Sequence, residues 1–171
     1  MQKKVIVIGH VDHGKTTFID ALKKIIYGET DAEPVVTSKS VSFQVGQTGY
    51  TLFDYPGHAD YAEQIGKKGE RLAILICSAM DGLMPEAKEQ IRLCKERGIE
   101  KIAVFFSNLD AGVDPEFLEF AKEDLVEFLD ENGYGRDFPM GFGSSCAALQ
   151  GEEENQKKLL DFVRAADAFF G

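Results

Sequence analysis

Nine consecutive residues, Gly9-His10-Val11-Asp12-His13-Gly14-Lys15-Thr16-Thr17, hold the densest chemistry in the chain. A glycine, four residues, then Gly-Lys-Thr is a spacing that wraps backbone around a polyphosphate when a strand precedes it and a helix follows. Gly9 and Gly14 carry no Cβ, so the chain can curl until successive N–H groups converge on phosphate oxygens. A helix opening near Lys15 aims the positive end of its dipole at the same anion. Lys15 would neutralise charge on the β- and γ-phosphates, and the Thr16 hydroxyl would ligate Mg²⁺. The stretch from His10 to Thr17 is therefore the candidate nucleotide-contacting segment.

A Mg²⁺ site of this kind needs a carboxylate at the end of a neighbouring strand. Asp54 closes the strand-like Tyr50–Phe53 and opens Asp54-Tyr55-Pro56-Gly57-His58. Gly57 would let its backbone N–H approach a γ-phosphate. The imidazole of His58 would orient an attacking water.

The elements that must carry these groups alternate between strand and helix. Lys4–Ile8 is a short β-branched run, and Lys15–Ile26 places Phe18, Ala21, Leu22 and Ile25 on one helical stripe. Val41–Val45 and Tyr50–Phe53 flank Gly46-Gln47-Thr48-Gly49 and read as a β-hairpin. Leu72–Ile76 and Ile102–Phe106 are continuous apolar runs, the pattern of parallel strands covered on both faces. Pro85–Arg97 starts on proline and stops at Gly98, as a helix should. A second helix opens at Pro115, with a stripe of Phe117, Ala121, Leu125, Phe128 and Leu129, and ends near Asn132-Gly133. Pro139–Gly143 reads as a weak last strand, and Leu159, Leu160, Val163 and Ala166 mark a terminal helix. Such alternation requires right-handed crossovers and a mostly parallel sheet with helices on both faces. Ligands bind such sheets at the carboxyl ends of the strands, where these motifs fall.

Bulk properties narrow the function classes. At 171 residues the chain can bury one core without disulfides or a structural metal. Its apolar runs are too short to span a bilayer, and no signal-peptide pattern opens it, so a cytoplasmic protein is expected. The three cysteines fit neither a disulfide framework nor a zinc site; Cys77 and Cys94 read as small buried residues. A net charge of −10 repels a phosphate backbone on average and argues against nucleic-acid binding by this chain alone. Lys67, Lys68 and Arg71 form either a local basic patch or a solvated helix face.

The phosphate segment together with Asp54-Tyr55-Pro56-Gly57-His58-Ala59-Asp60-Tyr61 resembles the G domain of the translational GTPases, the elongation factor Tu group with its selenocysteine-specific relatives. Ala79-Met80-Asp81-Gly82-Leu83-Met84-Pro85 extends the resemblance, which covers essentially the whole chain. It implies a three-layer α/β P-loop fold whose six-stranded sheet is mostly parallel, with one antiparallel hairpin strand. It implies GTP or GDP with Mg²⁺ as cofactors and a translational or regulatory protein as partner. Two loops would be ordered by GTP and released on hydrolysis. The Mg²⁺-binding threonine of the first loop falls on Thr37, with Ser38 and Ser40 as competitors, and Val36 would face Val11 across the phosphates. Residues 1–171 would form a single G domain without the β-barrel domains of the elongation factors, either an excised piece or a free-standing relative.

The chain departs from that family where the base is read. The family's Asn-Lys-any-Asp motif stands here as Ser107-Asn108-Leu109-Asp110. The Asp110 carboxylate can accept from guanine N1 and its exocyclic amine, which adenine does not offer. Ser107 replaces an amide, and Asn108 lacks the long stem that packs along the base. Ser144-Ser145-Cys146 stands for the family's Ser-Ala-Lys or Ser-Ala-Leu, whose backbone N–H points at guanine O6. A slow Mg²⁺-dependent GTPase switch is the leading expectation. Its competitors are a scaffold with weakened guanine recognition and little hydrolysis, and an enzyme of another nucleotide such as ATP.

Overall fold

The computed structural model describes residues 2–9, 14–27, 40–53, 65–109 and 112–171. Within them the chain alternates β1 (Gln2–Gly9), α1 (Lys15–Tyr27), β2 (Ser40–Val45), β3 (Thr48–Phe53), β4 (Leu72–Ser78), α2 (Pro85–Glu96), β5 (Lys101–Ser107), α3 (Pro115–Glu131), β6 (Met140–Phe142), α4 (Ser145–Leu149) and α5 (Glu153–Phe170). The sheet runs in the order β2-β3-β1-β4-β5-β6. Only β2 and β3 pair antiparallel; β3, β1, β4, β5 and β6 run the same way. The chain leaves β1 toward one side of the sheet and returns through β4 to the other, so the order reverses at β1. That reversal opens a crevice at its carboxyl end.

Period-2 alternation along the central strands divides the core in two. Val5 and Val7 of β1, Ile74 and Ile76 of β4 and Phe105 of β5 face α1, α4 and α5, meeting Phe18, Leu22, Ala148, Leu159, Phe162 and Phe170. Ile6, Ile8, Leu75, Cys77, Val104 and Phe106 face the opposite layer, against Ala87, Ile91 and Cys94 of α2 and Ala121, Leu125 and Leu129 of α3. Phe18 lies at the centre of an aromatic cluster, 5.3 Å from Phe105 and 6.1 Å from Phe162 between ring centroids.

Local chemistry sets the helix ends. Pro115 occupies the first turn of α3, and the Asp114 side chain accepts from the N–H of Glu116 at 2.9 Å. Both α2 and α3 end on a left-handed glycine: Ile99 N–H returns to Cys94 O and Tyr134 N–H to Leu129 O, each at 2.9 Å.

Two expectations need correction. Phe117 is not on the buried stripe of α3; it is exposed, paired with the more exposed Phe120 at 6.5 Å. The buried stripe starts one turn later, at Ala121. Lys67 and Lys68 sit on a turn, and Arg71 just before β4, so this is not a helix face. Cys77 and Cys94 are buried as expected. Among the described residues, no helix is long and apolar enough to cross a membrane.

Candidate functional site

Parallel pairing brings the carboxyl ends of β1, β4, β5 and β6 to one edge of the sheet, and the described motif residues gather there. Gly9 closes β1 with φ +144°, opposite Ile76 of β4. A Cβ on Gly9 would lie 2.3 Å from the Ile76 carbonyl oxygen, so packing there demands glycine. The Gly9 N–H is held by Oε1 of Gln90 on α2 at 2.8 Å, inside the protein. Gly14 follows at φ +89°, and its carbonyl accepts the N–H of Phe18 at 2.9 Å, the first hydrogen bond of α1.

The amino end of α1 suits an anion. Its first turn has no acidic residue to offset the positive end of the dipole. Lys15 is buried at 7% exposure, while Thr16 on the same turn is exposed and Thr17 half-buried. His10, Val11, Asp12 and His13, between the two glycines, lie outside the described residues. So do Asp54, Gly57, His58, Val36, Thr37, Ser38 and Asp110. β3, which leads to Asp54, runs parallel to β1, with Phe53 opposite Ile6.

The segments that follow β5 and β6 meet. Leu109 N–H donates to Gly143 O at 3.4 Å, and Gly143 N–H to Phe106 O at 3.1 Å, joining the turn after β5 to the start of α4. Ser144 caps α4: its hydroxyl accepts from Ala147 N–H at 3.0 Å, and its own N–H donates to Asn155 Oδ1 at 2.8 Å. Ser145 is buried, and Cys146 is exposed at the same turn. Ser107 does not face outward. Its hydroxyl donates to Cys77 O at 3.4 Å. Asn108 takes φ +65° and donates from Nδ2 to Ser78 Oγ at 3.1 Å.

Burial separates the thiols. It pushes Cys77 up to about 12, with Asp81 and Asp124 adding repulsion. Burial likewise pushes Cys94 up to about 12, with a smaller contribution from Glu70. Tyr50 is raised first by burial and then by its hydrogen bond to Asp167, far from the motif edge.

Three positioning groups escaped the motif reading: Gln90, Ser78 and Asn155. Their signal was a polar residue at a core-facing place. Gln90 interrupts the buried stripe Ala87, Ile91, Cys94, Ser78 closes an apolar strand, and Asn155 lies on the buried face of α5.

A reversing parallel sheet, a strand–glycine–helix passage at its reversal point and two loops converging on the same edge define a P-loop GTPase fold. The chain belongs to the elongation factor Tu GTP binding domain family, whose model matches residues 28–166. The match begins after Gly9–Thr17, so the phosphate segment and the family model are independent arguments. Membership implies guanine-nucleotide binding, and the family generally hydrolyses GTP.

Proposed function

We propose that this protein is a Mg²⁺-dependent GTP-binding switch that hydrolyses GTP slowly on its own. The observation that carries the reading is the approach of β1 to α1: glycine where a Cβ would strike backbone, then a helix start with a buried lysine and no acid. The backbone from His10 to Thr17 would hold the β- and γ-phosphates, with Lys15 neutralising them. Asp110 would select guanine, and the turn at Ser144, Ser145 and Cys146 would present backbone N–H groups to the base carbonyl.

Among the described residues, no cluster of three His, Cys, Asp or Glu could by itself hold a metal ion. Mg²⁺ in this reading needs few protein ligands, because phosphates and water supply the rest. Thr16, on the first turn of α1, would take that role, with Thr37 and Asp54 as its partners. Bound there, Mg²⁺ would offset charge on the phosphate oxygens. Gly57 would bring its N–H to the γ-phosphate, and His58 would orient the attacking water. Turnover is slow in this reading because the motifs supply no arginine to the transferring phosphoryl group.

One G domain, in the cytoplasm, signalling nucleotide state to a translational or regulatory protein, completes the proposal. A second reading is a nucleotide-binding scaffold with weakened guanine recognition and little hydrolysis. It is favoured by one observation: Ser107 and Asn108 both direct their polar groups at β4.

Phosphate release under single-turnover conditions distinguishes the two readings. The switch reading expects slow Mg²⁺-dependent release that falls ~100-fold or more in His58→Ala, with GDP affinity unchanged. Wild-type release no faster than that of His58→Ala favours the scaffold.

A further inference from the structure

The turn after β5 is tied to the neighbouring strand beyond the point where the sheet ends. The β4–β5 ladder closes at Ser78 opposite Ser107. Past that pair, Ala79 N–H donates to Ser107 O at 2.9 Å, and Asn108 Nδ2 donates to Ser78 Oγ at 3.1 Å. The same Ser78 oxygen accepts the N–H of Met80 at 3.2 Å, and the Ser78 carbonyl accepts from Gly82 N–H at 2.9 Å. Ser78 is 1% exposed, while Asn108 and Met80 lie nearer the surface, so the two bonds to the Ser78 hydroxyl are part-buried. Asn108 at φ +65° is the sole non-glycine residue with positive φ among those described. Asparagine tolerates that region better than most residues, and its short polar side chain can hydrogen-bond nearby, as it does here to Ser78.

We infer that the Ser78–Asn108 bridge positions the base-reading turn of this chain and thereby sets its preference for guanine. The inference rests on the proposed guanine-nucleotide function. The bridge lies outside the ladder and acts on the turn that leads through Leu109 to Asp110. On the other side, Leu109 N–H is held by Gly143 O at 3.4 Å, so the turn is braced from both β4 and the loop before α4. In the family the position of Asn108 carries a lysine that packs along the base. Here Asn108 reaches inward to Ser78 and anchors the turn. Ser78 and Asn108 are positioning residues: neither is assigned a contact with the nucleotide.

Titrating the full chain with GDP and with IDP, which lacks the exocyclic amine, tests the bridge in wild type, Ser78→Ala, Asn108→Ala, the double variant and Asn108→Gly. Each single alanine variant is expected to lose roughly tenfold in GDP affinity, the scale of one hydrogen bond. The double variant should lose less than the sum of the two single losses, because both remove the Asn108–Ser78 bond, while Ser78→Ala also removes the acceptor of the Met80 N–H. The GDP-over-IDP ratio should fall in all three alanine variants, an effect that general loosening of the fold would not produce. Asn108→Gly, free to take positive φ, should lose less than Asn108→Ala and guards against a variant that fails to fold. Additive losses, equal losses for GDP and IDP, or wild-type affinity in both single variants would overturn the bridge while leaving the nucleotide reading intact. If wild type binds neither ligand, the nucleotide reading fails and the bridge with it.

Discussion

The backbone N–H of Gly9 donates to Oε1 of Gln90, 81 positions later in the chain, at 2.8 Å. Gln90 thereby fixes the last residue of β1, which is also the first of the Gly9–Thr17 motif, to α2. Replacing it with Leu keeps the apolar stripe but leaves a buried N–H without a partner, at a cost of about 1–3 kcal/mol. Urea denaturation of Gln90→Leu should show that loss as a lower midpoint with an unchanged slope. An unchanged midpoint would mean that water or another group replaces the amide.

Gly9 and Gly14 separate packing from conformation. Gly9→Ala drives a methyl into the Ile76 carbonyl and should destabilise the fold by about 3 kcal/mol, the upper range for overpacking. Among the described residues nothing lies within 4 Å of a Cβ on Gly14, so Gly14→Ala should cost mainly the strain of φ +89°, about 1 kcal/mol. Thermal unfolding of the two variants measures the difference.

The packing that fixes Gly9 explains which parts of this architecture could be read from sequence. Continuous apolar runs identified β4 and β5, because parallel strands covered on both faces admit no polar alternation. The glycine and proline bounds of α2 were equally plain. α4 was not foreseen, since the five residues Ser145–Leu149 are too few to show a helical period. Phe117 was misassigned because spacing alone cannot tell where a helix first meets the sheet. Gly9–Thr17 stands out in the sequence as a local motif, and its residues His10–His13 lie outside the described residues. The Ser78–Asn108 and Gly9–Gln90 contacts were not, since they join residues 30 and 81 apart through tertiary packing.

Thiol chemistry gives a local readout of the site. Cys146 is exposed beside Ser144 and Ser145, whereas Cys77 and Cys94 are buried with thiols pushed up to about 12. A water-soluble disulfide reagent at pH 8 should therefore titrate one thiol rapidly in the folded protein and all three in denaturant. Saturating GDP should slow the fast reaction if the Cys146 turn contacts the base.

The same buried thiols predict alkaline sensitivity. Each binds its proton more tightly folded than unfolded, so its contribution is intact below the unfolded value of about 8.5. It is lost as pH rises from there toward 12. In that window each thiol removes about 1.4 kcal/mol of stability per pH unit. Unfolding midpoints should fall between pH 8.5 and 10.5, and Cys77→Ala with Cys94→Ala should flatten the slope at the cost of lower stability at pH 7.

Isothermal titration of nucleotide-free protein with GDP, a non-hydrolysable GTP analogue and ADP, each with Mg²⁺, tests the central claim most directly. The account predicts binding of both guanine ligands at roughly micromolar affinity or tighter, about −8 kcal/mol, with no heat from ADP. Lys15→Ala should abolish that binding. Equal binding of ADP and GDP would contradict guanine selection by this site, and no binding of any of the three would contradict the nucleotide-switch account altogether.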